Sequence, residues 1–304
     1  MLPMQLPYTR NYSGTCPECS FVLPALSEVS GFYFATGSIK CSHCGISLDL
    51  WKTTLDYVIR LVDFTTSLSA LGPQVTNLEF RVSANEVVEL DFTKFGIPET
   101  ATILWVNYSP HDNCLPIEWH GNTPPRRFRG TRVNLYGVQT RTSDGVPNEA
   151  TIAGDNLGVM ILWAPAGQED LPWLYLVDAI EAVSLGRFSQ AIVPAHTAAE
   201  ISITPIIRPI LVKYSSQKYA GRFLGQELSF SSTMNVVLPL ICALVDAKPL
   251  PDEIRAKLNS LRKLRNKFVH DGVLPTAVDA KEIRTLLCAA AFSLEYAKYL
   301  KGFI

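Results

Sequence analysis

The chain has 304 residues, of which 47% are hydrophobic and 18% charged, with a mean hydropathy of +0.14. This length exceeds one domain of usual size, so two or three domains are expected, and the high apolar content favours a homo-oligomer. The net charge of −1 excludes a global polycation, so any contact with nucleic acid must come from local basic patches.

Two pairs of cysteines characterise the first fifty residues. Cys16 and Cys19 form one CxxC pair, and Cys41 and Cys44 form a second one after 21 intervening residues. Each pair directs two thiolates toward one point, and four thiolates make a closed tetrahedral Zn²⁺ site. Because a closed site leaves no position for water, the zinc is predicted to be structural. Residues 1–50 are therefore predicted to form a zinc ribbon.

Short strands are predicted to run into and out of the two cysteine pairs. The aromatic run Gly31–Ala35 and the run Ile46–Leu50 are the candidates. His43 lies between the ligands of the second pair and is interpreted as an exposed residue, since four thiolates already fill the site. A connecting segment of mixed pattern, a short helix or a strand, is predicted for residues 51–73.

The sequence pattern of residues 74–167 is typical of an antiparallel β domain, and a sandwich or a barrel is predicted. Short apolar runs alternate there with clusters of Gly, Pro, Asn and Asp, and no helical period separates them. The predicted strands are Asn77–Val82, Glu86–Phe92, Thr102–Tyr108, Arg132–Val138 and Leu157–Ala164.

Residues 171–304 are predicted to form an all-α bundle of about five helices, because apolar residues recur there at helical spacing. Pro194 and Pro205 are expected to kink or restart the second helix. The predicted helices are centred on Leu174–Val183, Phe188–Tyr214, Met234–Val245, the stretch from Asp252 to Val269, and Ala277–Leu300.

The fourth helix carries the candidate catalytic residues Arg265, Asn266 and His270 close to its end. A guanidinium can hold the charge of a phosphate, and an imidazole can exchange protons near neutral pH. Residues i and i+5 of a helix point about 140° apart. Arg265 and His270 therefore converge only if the last turn unwinds or a cleft surrounds the helix end. The inward stripe is predicted to be Leu258, Leu261, Leu264 and Phe268, with Lys257, Arg262, Lys263 and Arg265 largely outside it.

Two basic patches are candidate contacts for RNA or for another subunit. Both are equally consistent with solvated faces. The first patch is Arg126, Arg127, Arg129 and Arg132; the second is Arg255, Lys257, Arg262, Lys263, Arg265 and Lys267.

A helical bundle whose penultimate helix ends in Arg-polar-x-x-x-His resembles the HEPN superfamily, and here Arg265, Asn266 and His270 match that motif. The run from Leu185 to Glu200 is similar to the early helices of the family. The resemblance covers roughly the last 130 residues. Many members are metal-independent endoribonucleases of toxin–antitoxin, abortive-infection and CRISPR-associated systems, and dimerisation joins two motifs across a shared cleft.

The resemblance implies an RNA-cleaving homodimer that acts in antiviral defence or as a toxin. His270 would move protons, Arg265 would hold the phosphate oxygens and Asn266 would orient the phosphate or the imidazole, with no metal in catalysis. A trigger or regulatory protein is left open. Glu200 and Arg262 are interpreted as supporting groups at most.

The alternative is a non-catalytic dimeric scaffold or sensor that binds RNA or protein and contains a structural zinc ribbon. In that case His270 stabilises a helix C-terminus and Arg265 pairs with an acid on a neighbouring helix. A DNA-binding regulator is disfavoured because no recognition helix is evident. The start of the chain has no signal pattern and no apolar run is long enough to span a bilayer, so a soluble cytoplasmic protein is expected.

Overall fold

The computed structural model describes residues 13–60, 70–72, 74–82, 87–110, 117–119, 128–129, 132–137, 144, 155–164, 170–225, 229–271 and 278–304. They fall into two compact units. One unit lies between Pro73 and Asp170, and the other combines Asn11–Gly72 with Leu171–Ile304. The cysteine pairs thus belong to the same unit as the C-terminal helices.

The described N-terminal part of the helical unit includes two helices and a short hairpin. Helix α1 (Leu26–Thr36) is followed by strands β1 (Ile39–Lys40) and β2 (Ser47–Leu48), which pair antiparallel, and then by α2 (Leu50–Arg60). Helix α1 ends at Gly37, whose φ of 89° is a left-handed conformation that favours glycine.

Among the described residues of the C-terminal part seven helices follow, which confirms the prediction of a helical region. A single π-helical turn, Thr233–Val237, joins two of them. The helices are α3 (Asp170–Ser184), α4 (Phe188–Tyr214), α5 (Gln217–Gly225), α6 (Phe230–Ser232), α7 (Leu238–Val245), α8 (Asp252–Asp271) and α9 (Ala280–Lys301).

Helix α4 runs as one element through Pro194, Pro205 and Pro209, so the expected restart does not occur. Its inward face buries ten side chains, among them Ile192, Ile203 and Ile210. This continuous packing outweighs the hydrogen bonds that the prolines remove, because most helix stability in proteins comes from tertiary contacts.

Helix α9 is the centre of the unit. It contacts α1, α2, α4 and α8, and its side chains are buried almost without interruption from Leu286 to Ala297. The Asp279 side chain caps its N-terminus by accepting a 2.6 Å hydrogen bond from the backbone N–H of Glu282.

The prediction of a strand at Gly31–Ala35 is wrong, because these residues belong to helix α1. The buried residues of this helix are Leu26, Ser30, Tyr33 and Phe34, which follow a helical period. Phe34 meets Tyr296 of α9 edge-on, with ring centroids 5.0 Å apart. Contact with α9, which is distant in sequence, favours the helix although the run is rich in aromatic residues.

A buried carboxylate also joins α1 to α9. Glu295 is 2% exposed, and its two oxygens accept hydrogen bonds from Ser30 Oγ at 3.1 Å and from Lys298 Nζ at 3.0 Å. Lys298 Nζ lies 5.0 Å from the centre of the Trp173 ring, so the cation has an aromatic neighbour as well. The buried carboxylate of Glu295 is therefore paired with the ammonium group of Lys298.

The described residues of the other unit include seven strands, and the predicted small antiparallel sheets are confirmed. One sheet has the order β3-β9-β5-β7 and the other has the order β4-β8-β6. Their closure into a sandwich or barrel stays a prediction. The strands are β3 (Gln74–Val82), β4 (Val87–Asp91), β5 (Thr102–Pro110), β6 (Ile117–Trp119), β7 (Phe128–Arg129), β8 (Arg132–Gly137) and β9 (Asp155–Ala164).

Strand β9 is central to the four-stranded sheet. Its pairing with β3 runs from Gln74 opposite Trp163 to Val82 opposite Asp155. Val159 and Ile161 are buried, and the Trp163 indole donates a 3.1 Å hydrogen bond to Thr76 Oγ1 across the β3–β9 pair. A strand with partners on both edges has no free backbone edge to protect.

Candidate functional site

Both CxxC pairs lie in backbone turns of the same geometry. In the first turn, the N–H of Cys16 donates to the carbonyl of Phe21 at 2.8 Å, and the N–H of Ser20 donates to the carbonyl of Cys16 at 2.9 Å. The second turn repeats these two bonds, each at 2.9 Å, from Cys41 to Ile46 and from Gly45 to Cys41.

The fifth position of each turn has a left-handed backbone. Its φ is 58° at Ser20 and 76° at Gly45. A turn of this shape directs the two cysteines of the pair to the same side, and glycine adopts it with the least strain. The equal geometry explains how two separate segments each present two sulfur atoms.

The four Sγ atoms converge on one point, all within 4.8 Å of one another. Cys16 and Cys44 are 3.7 Å apart, as are Cys19 and Cys41. A tetrahedron with metal–sulfur bonds of about 2.3 Å has edges of about 3.8 Å, whereas a disulfide needs about 2.05 Å. The four residues could therefore hold a metal ion, and they are not disulfide-bonded.

The local backbone lowers the pKa of one of these four thiols. The N–H groups of Cys44 and His43, the former with the larger effect, lower the pKa of Cys41 to about 6. Metal ions bind the thiolate form, so this effect favours coordination by Cys41, whereas the pKa values of Cys19 and Cys44 are raised.

His43 is exposed and lies outside the group of potential ligands, in agreement with the interpretation from the sequence. Its ring stacks on Phe21 with centroids 5.4 Å apart and planes only 7° from parallel. This contact joins the first turn to the second independently of the sulfur atoms.

Helix α8 carries the three candidate catalytic residues. Arg265 and Asn266 are half-buried, whereas His270 is exposed one residue before the helix end. The guanidinium of Arg265 donates from Nη1 to Asn266 Oδ1 at 3.2 Å. The neighbouring amide thus orients the arginine, and its own NH₂ group stays available as a donor.

Arg265 and His270 lie on different faces of α8, because the helix stays regular through Asp271. At about 100° per residue, Arg265 lies within about 20° of the buried Leu258, and His270 lies about 140° from Arg265. The last turn does not unwind, so the two side chains are not brought together by the helix itself.

The predicted inward stripe of α8 needs a correction. Leu258 and Leu261 are buried, but Leu264 and Phe268 are only half-buried, as are Arg262 and Arg265. The helical repeat that starts at the buried Ile254 continues through Leu258 and Leu261 to Arg265, so geometry places the arginine on the inner face. The prediction of the stripe relied on apolar residue type alone and therefore did not place Arg265 on the inner face.

A second histidine, His196 of α4, lies next to these arginines. It is 3% exposed, and Arg265 and Arg262 both act on it electrostatically. Its Nδ1 is 3.7 Å from Glu200 Oε2, and its ring meets Phe230 edge-on with centroids 4.8 Å apart. The sequence interpretation did not single out this residue. The available signal was a lone histidine within the apolar stripe of α4, four residues before an acid.

Hydrogen bonding around His196 is incomplete. Both ring nitrogens of His196 and Nε of Arg262 are buried without a hydrogen-bond partner among the residues that the structure describes. The separation from Glu200 is too long for a hydrogen bond. A buried polar group without a partner costs about 1–3 kcal/mol, so this arrangement needs an explanation.

No family model, curated protein or solved structure matches this chain. Across the described parts of the chain, no helix combines the length and apolar character of a membrane span.

The first basic patch falls partly outside the described residues: Arg126 and Arg127 are not described, whereas Arg129 lies in β7 and Arg132 in β8. Cys242 and Cys288 are buried free cysteines, and Cys114 lies outside the described residues.

The environment of His196 predicts a dependence of stability on pH. Burial, with smaller effects from Arg265 and Arg262, lowers its pKa from 6.5 to about 4. Between these two values the unfolded chain binds a proton that the folded chain does not. The free energy of unfolding should therefore be highest above pH 6.5 and fall as the pH approaches 4, by up to about 3 kcal/mol from this residue.

The measurement is urea unfolding of wild type and His196→Gln from pH 7.5 to pH 4, in buffers without phosphate. Because other groups titrate equally in both proteins, the difference between the two curves isolates His196. We expect the difference to change mainly below pH 6.5. Parallel curves over the whole range would show that His196 is not buried in its neutral form.

Proposed function

We propose that the protein is a metal-independent endoribonuclease that cleaves RNA through attack of the ribose 2′-hydroxyl. The observation that carries the proposal is the end of α8, where a half-buried Arg265 is oriented by Asn266 and an exposed His270 follows. Between Ile254 and His270 the helix contains six lysines and arginines and no acid. A polyanion can therefore approach this helix without repulsion.

In the proposed reaction, the 2′-oxygen bonds to phosphorus as the bond from phosphorus to the 5′-oxygen breaks. His270 accepts the proton of the 2′-hydroxyl or donates one to the 5′-oxygen. Arg265 neutralises the charge that develops on the non-bridging oxygens, and Asn266 holds Arg265 or the phosphate. The products are a 2′,3′-cyclic phosphate and a 5′-hydroxyl, with one proton removed and one delivered.

We propose a homodimer as the active form, since Arg265 and His270 diverge on a single helix. A surface suited to a second copy exists on the segment Phe230–Val245, which contains no charged residue. Val236, Leu240 and Leu244 recur every four residues on it and are 56%, 59% and 47% exposed. An apolar face of this kind favours association.

We propose Zn²⁺ as the metal of the cysteine cluster, because four thiolates with tetrahedral spacing suit it best. The Cys16, Cys19, Cys41 and Cys44 sulfurs would fill all four positions, which makes the ion structural. The setting in antiviral defence or as a toxin, and the closure of the two sheets into a sandwich, are part of the same proposal.

The test uses zinc-loaded protein in EDTA with three matched oligonucleotides: RNA, 2′-O-methyl RNA and DNA. We expect cleavage of RNA alone, with cyclic phosphate ends, while the zinc content stays constant. Cleavage of DNA or of 2′-O-methyl RNA would contradict the proposed reaction, because neither substrate has the nucleophile. Cleavage that requires added Mg²⁺ would also contradict it.

The second candidate function is a non-catalytic dimeric scaffold or sensor that binds RNA or protein. The divergence of Arg265 and His270 on an unbroken helix favours it. It predicts that RNA is bound and recovered intact, with equal affinity for RNA and for 2′-O-methyl RNA.

A further inference from the structure

The surface where α4 packs against α8 contains a polar group that neither proposed function uses. The imidazole of His196 is enclosed there, and neither of its nitrogens has a hydrogen-bond partner among the described residues. A histidine that only fills space could be replaced by an apolar residue at no loss. Two ring nitrogens that lack hydrogen-bond partners among the described residues, close to charged side chains, instead indicate that His196 interacts with a bound ligand.

The charges around His196 are mainly positive. Arg262 and Arg265 of α8 act on it electrostatically, and the buried Nε of Arg262 has no hydrogen-bond partner among the described residues. Glu200, on the same helix as His196, has a side chain that is 43% exposed, and its Oε2 lies 3.7 Å from Nδ1. Two cations and one largely hydrated acid leave this location with a net positive charge.

The aromatic ring of Phe230 closes one side of the location. It meets His196 edge-on at 4.8 Å, and it is itself 6% exposed. Exclusion of water from that side strengthens electrostatic interactions with any ion that reaches the arginines. Arg262 and Arg265 are only half-buried, so part of each side chain reaches solvent.

We propose that His196, Arg262 and Arg265 form a binding site for a phosphate group. Two guanidinium groups and one imidazole together offer several N–H donors, which suits the four oxygens of a phosphate. A carboxylate, which is planar, would engage one guanidinium and leave the other donors unused. The inference rests on the proposed function for the natural ligand, an RNA phosphodiester, but the site itself follows from the packing of α4 on α8.

Binding of phosphate changes the electrostatics of the imidazole. The negative ligand offsets the charges of Arg262 and Arg265 and favours the protonated form of His196. Its pKa should rise by at least about one unit when the site is filled. His196 therefore reports on the occupation of the site without any need for catalysis.

The experiment follows the ring signals of histidine-labelled full-length protein by NMR as inorganic phosphate is added at constant ionic strength. The His196 signal is assigned by its loss in His196→Gln. We expect a saturable shift of this signal, weakened about tenfold or more in Arg262→Gln and in Arg265→Gln. The matched control is Lys267→Gln, an exposed position of the same helix, for which the affinity should change less than about twofold.

Two results would overturn the inference: a His196 signal that phosphate does not move, or an equal loss of affinity in Lys267→Gln and Arg265→Gln. The wild-type titration is decisive even if an arginine variant folds poorly. The same titration with 2′-O-methyl RNA separates the two proposals. A saturable shift of the His196 signal in a protein that does not cleave RNA would support the phosphate site and contradict the nuclease. RNA cleavage without any shift of the His196 signal would support the nuclease and contradict the phosphate site.

Discussion

For the proposed nuclease, replacement of Arg265 with alanine is expected to reduce the rate of RNA cleavage about 10²–10³-fold, because the charge on the phosphate oxygens would lose its main donor. His270→Ala should reduce the rate about 10²–10⁴-fold through the loss of proton transfer. The measurement is single-turnover cleavage of end-labelled RNA in EDTA. Neither variant should alter the thermal unfolding midpoint by more than a few degrees.

Two further variants make this prediction specific. Arg265→Lys keeps the positive charge but lacks the planar guanidinium group, so it should retain only part of the wild-type activity. Lys267→Ala removes an exposed cation from the opposite face of α8 and should weaken RNA binding slightly, with the cleavage step intact. If Lys267→Ala abolishes cleavage as fully as Arg265→Ala, general attraction of RNA and not a phosphate contact explains the effect.

The proposed homodimer supplies a sharper test of the same site. If Arg265 of one copy acts with His270 of the other, a mixture of Arg265→Ala and His270→Ala proteins should form heterodimers with one intact site. Such a mixture should recover up to about a quarter of the wild-type activity, whereas each variant alone stays inactive. This estimate assumes random exchange of subunits in a C₂ dimer, with half of the dimers mixed and one of two sites intact in each.

Loss of the proposed zinc ion from the cysteine cluster is expected to have the largest effect on stability. A structural zinc contributes an apparent binding free energy of about 10–16 kcal/mol, which is comparable to the whole stability of a typical domain. Cys16→Ala should abolish stoichiometric zinc binding and release residues 13–48 from their folded state. Helix α1 would then withdraw Tyr33 and Phe34 from Phe292 and Tyr296 of α9.

The measurement combines zinc content, thermal unfolding and hydrogen exchange of α1 and α9. Cys288→Ala is the matched control, because Cys288 is 0% exposed and Cys16 is 1% exposed, and only Cys16 belongs to the cluster. The control should retain one zinc per chain and lose only about 1 kcal/mol. A Cys16→Ala protein with unchanged exchange in α1 would show that the metal does not hold this segment on the helices.

Much of the helical unit could be predicted from local pattern. The predicted helix from Phe188 to about Tyr214 matches α4, and the helix that follows Pro251 matches α8 to within two residues. Strong apolar periodicity and the acidic start of α8 carry this information in the sequence itself. Helix α5, with a short and weakly apolar pattern, was not predicted.

The errors come from contacts between residues that are distant in the sequence. Gly31–Ala35 has the composition of a strand, but α9 offers it an aromatic surface more than 250 positions later, against which only a helix buries Tyr33 and Phe34 together. The inner position of Arg265 was missed in a similar way. It depends on which face of α8 meets α4, and residue type alone does not reveal that face.

Local spacing and periodicity along the chain are sufficient to specify the cysteine cluster and the order of the main elements. A CxxC turn is closed by hydrogen bonds within six residues, so the spacing of Cys16, Cys19, Cys41 and Cys44 was sufficient to predict four converging sulfurs. The proximity of His196 to Arg262 and Arg265 depends on tertiary packing. Those residues are more than sixty positions apart, and the packing of α4 on α8, together with Phe230, removes water from the imidazole and brings two cations into its electrostatic environment.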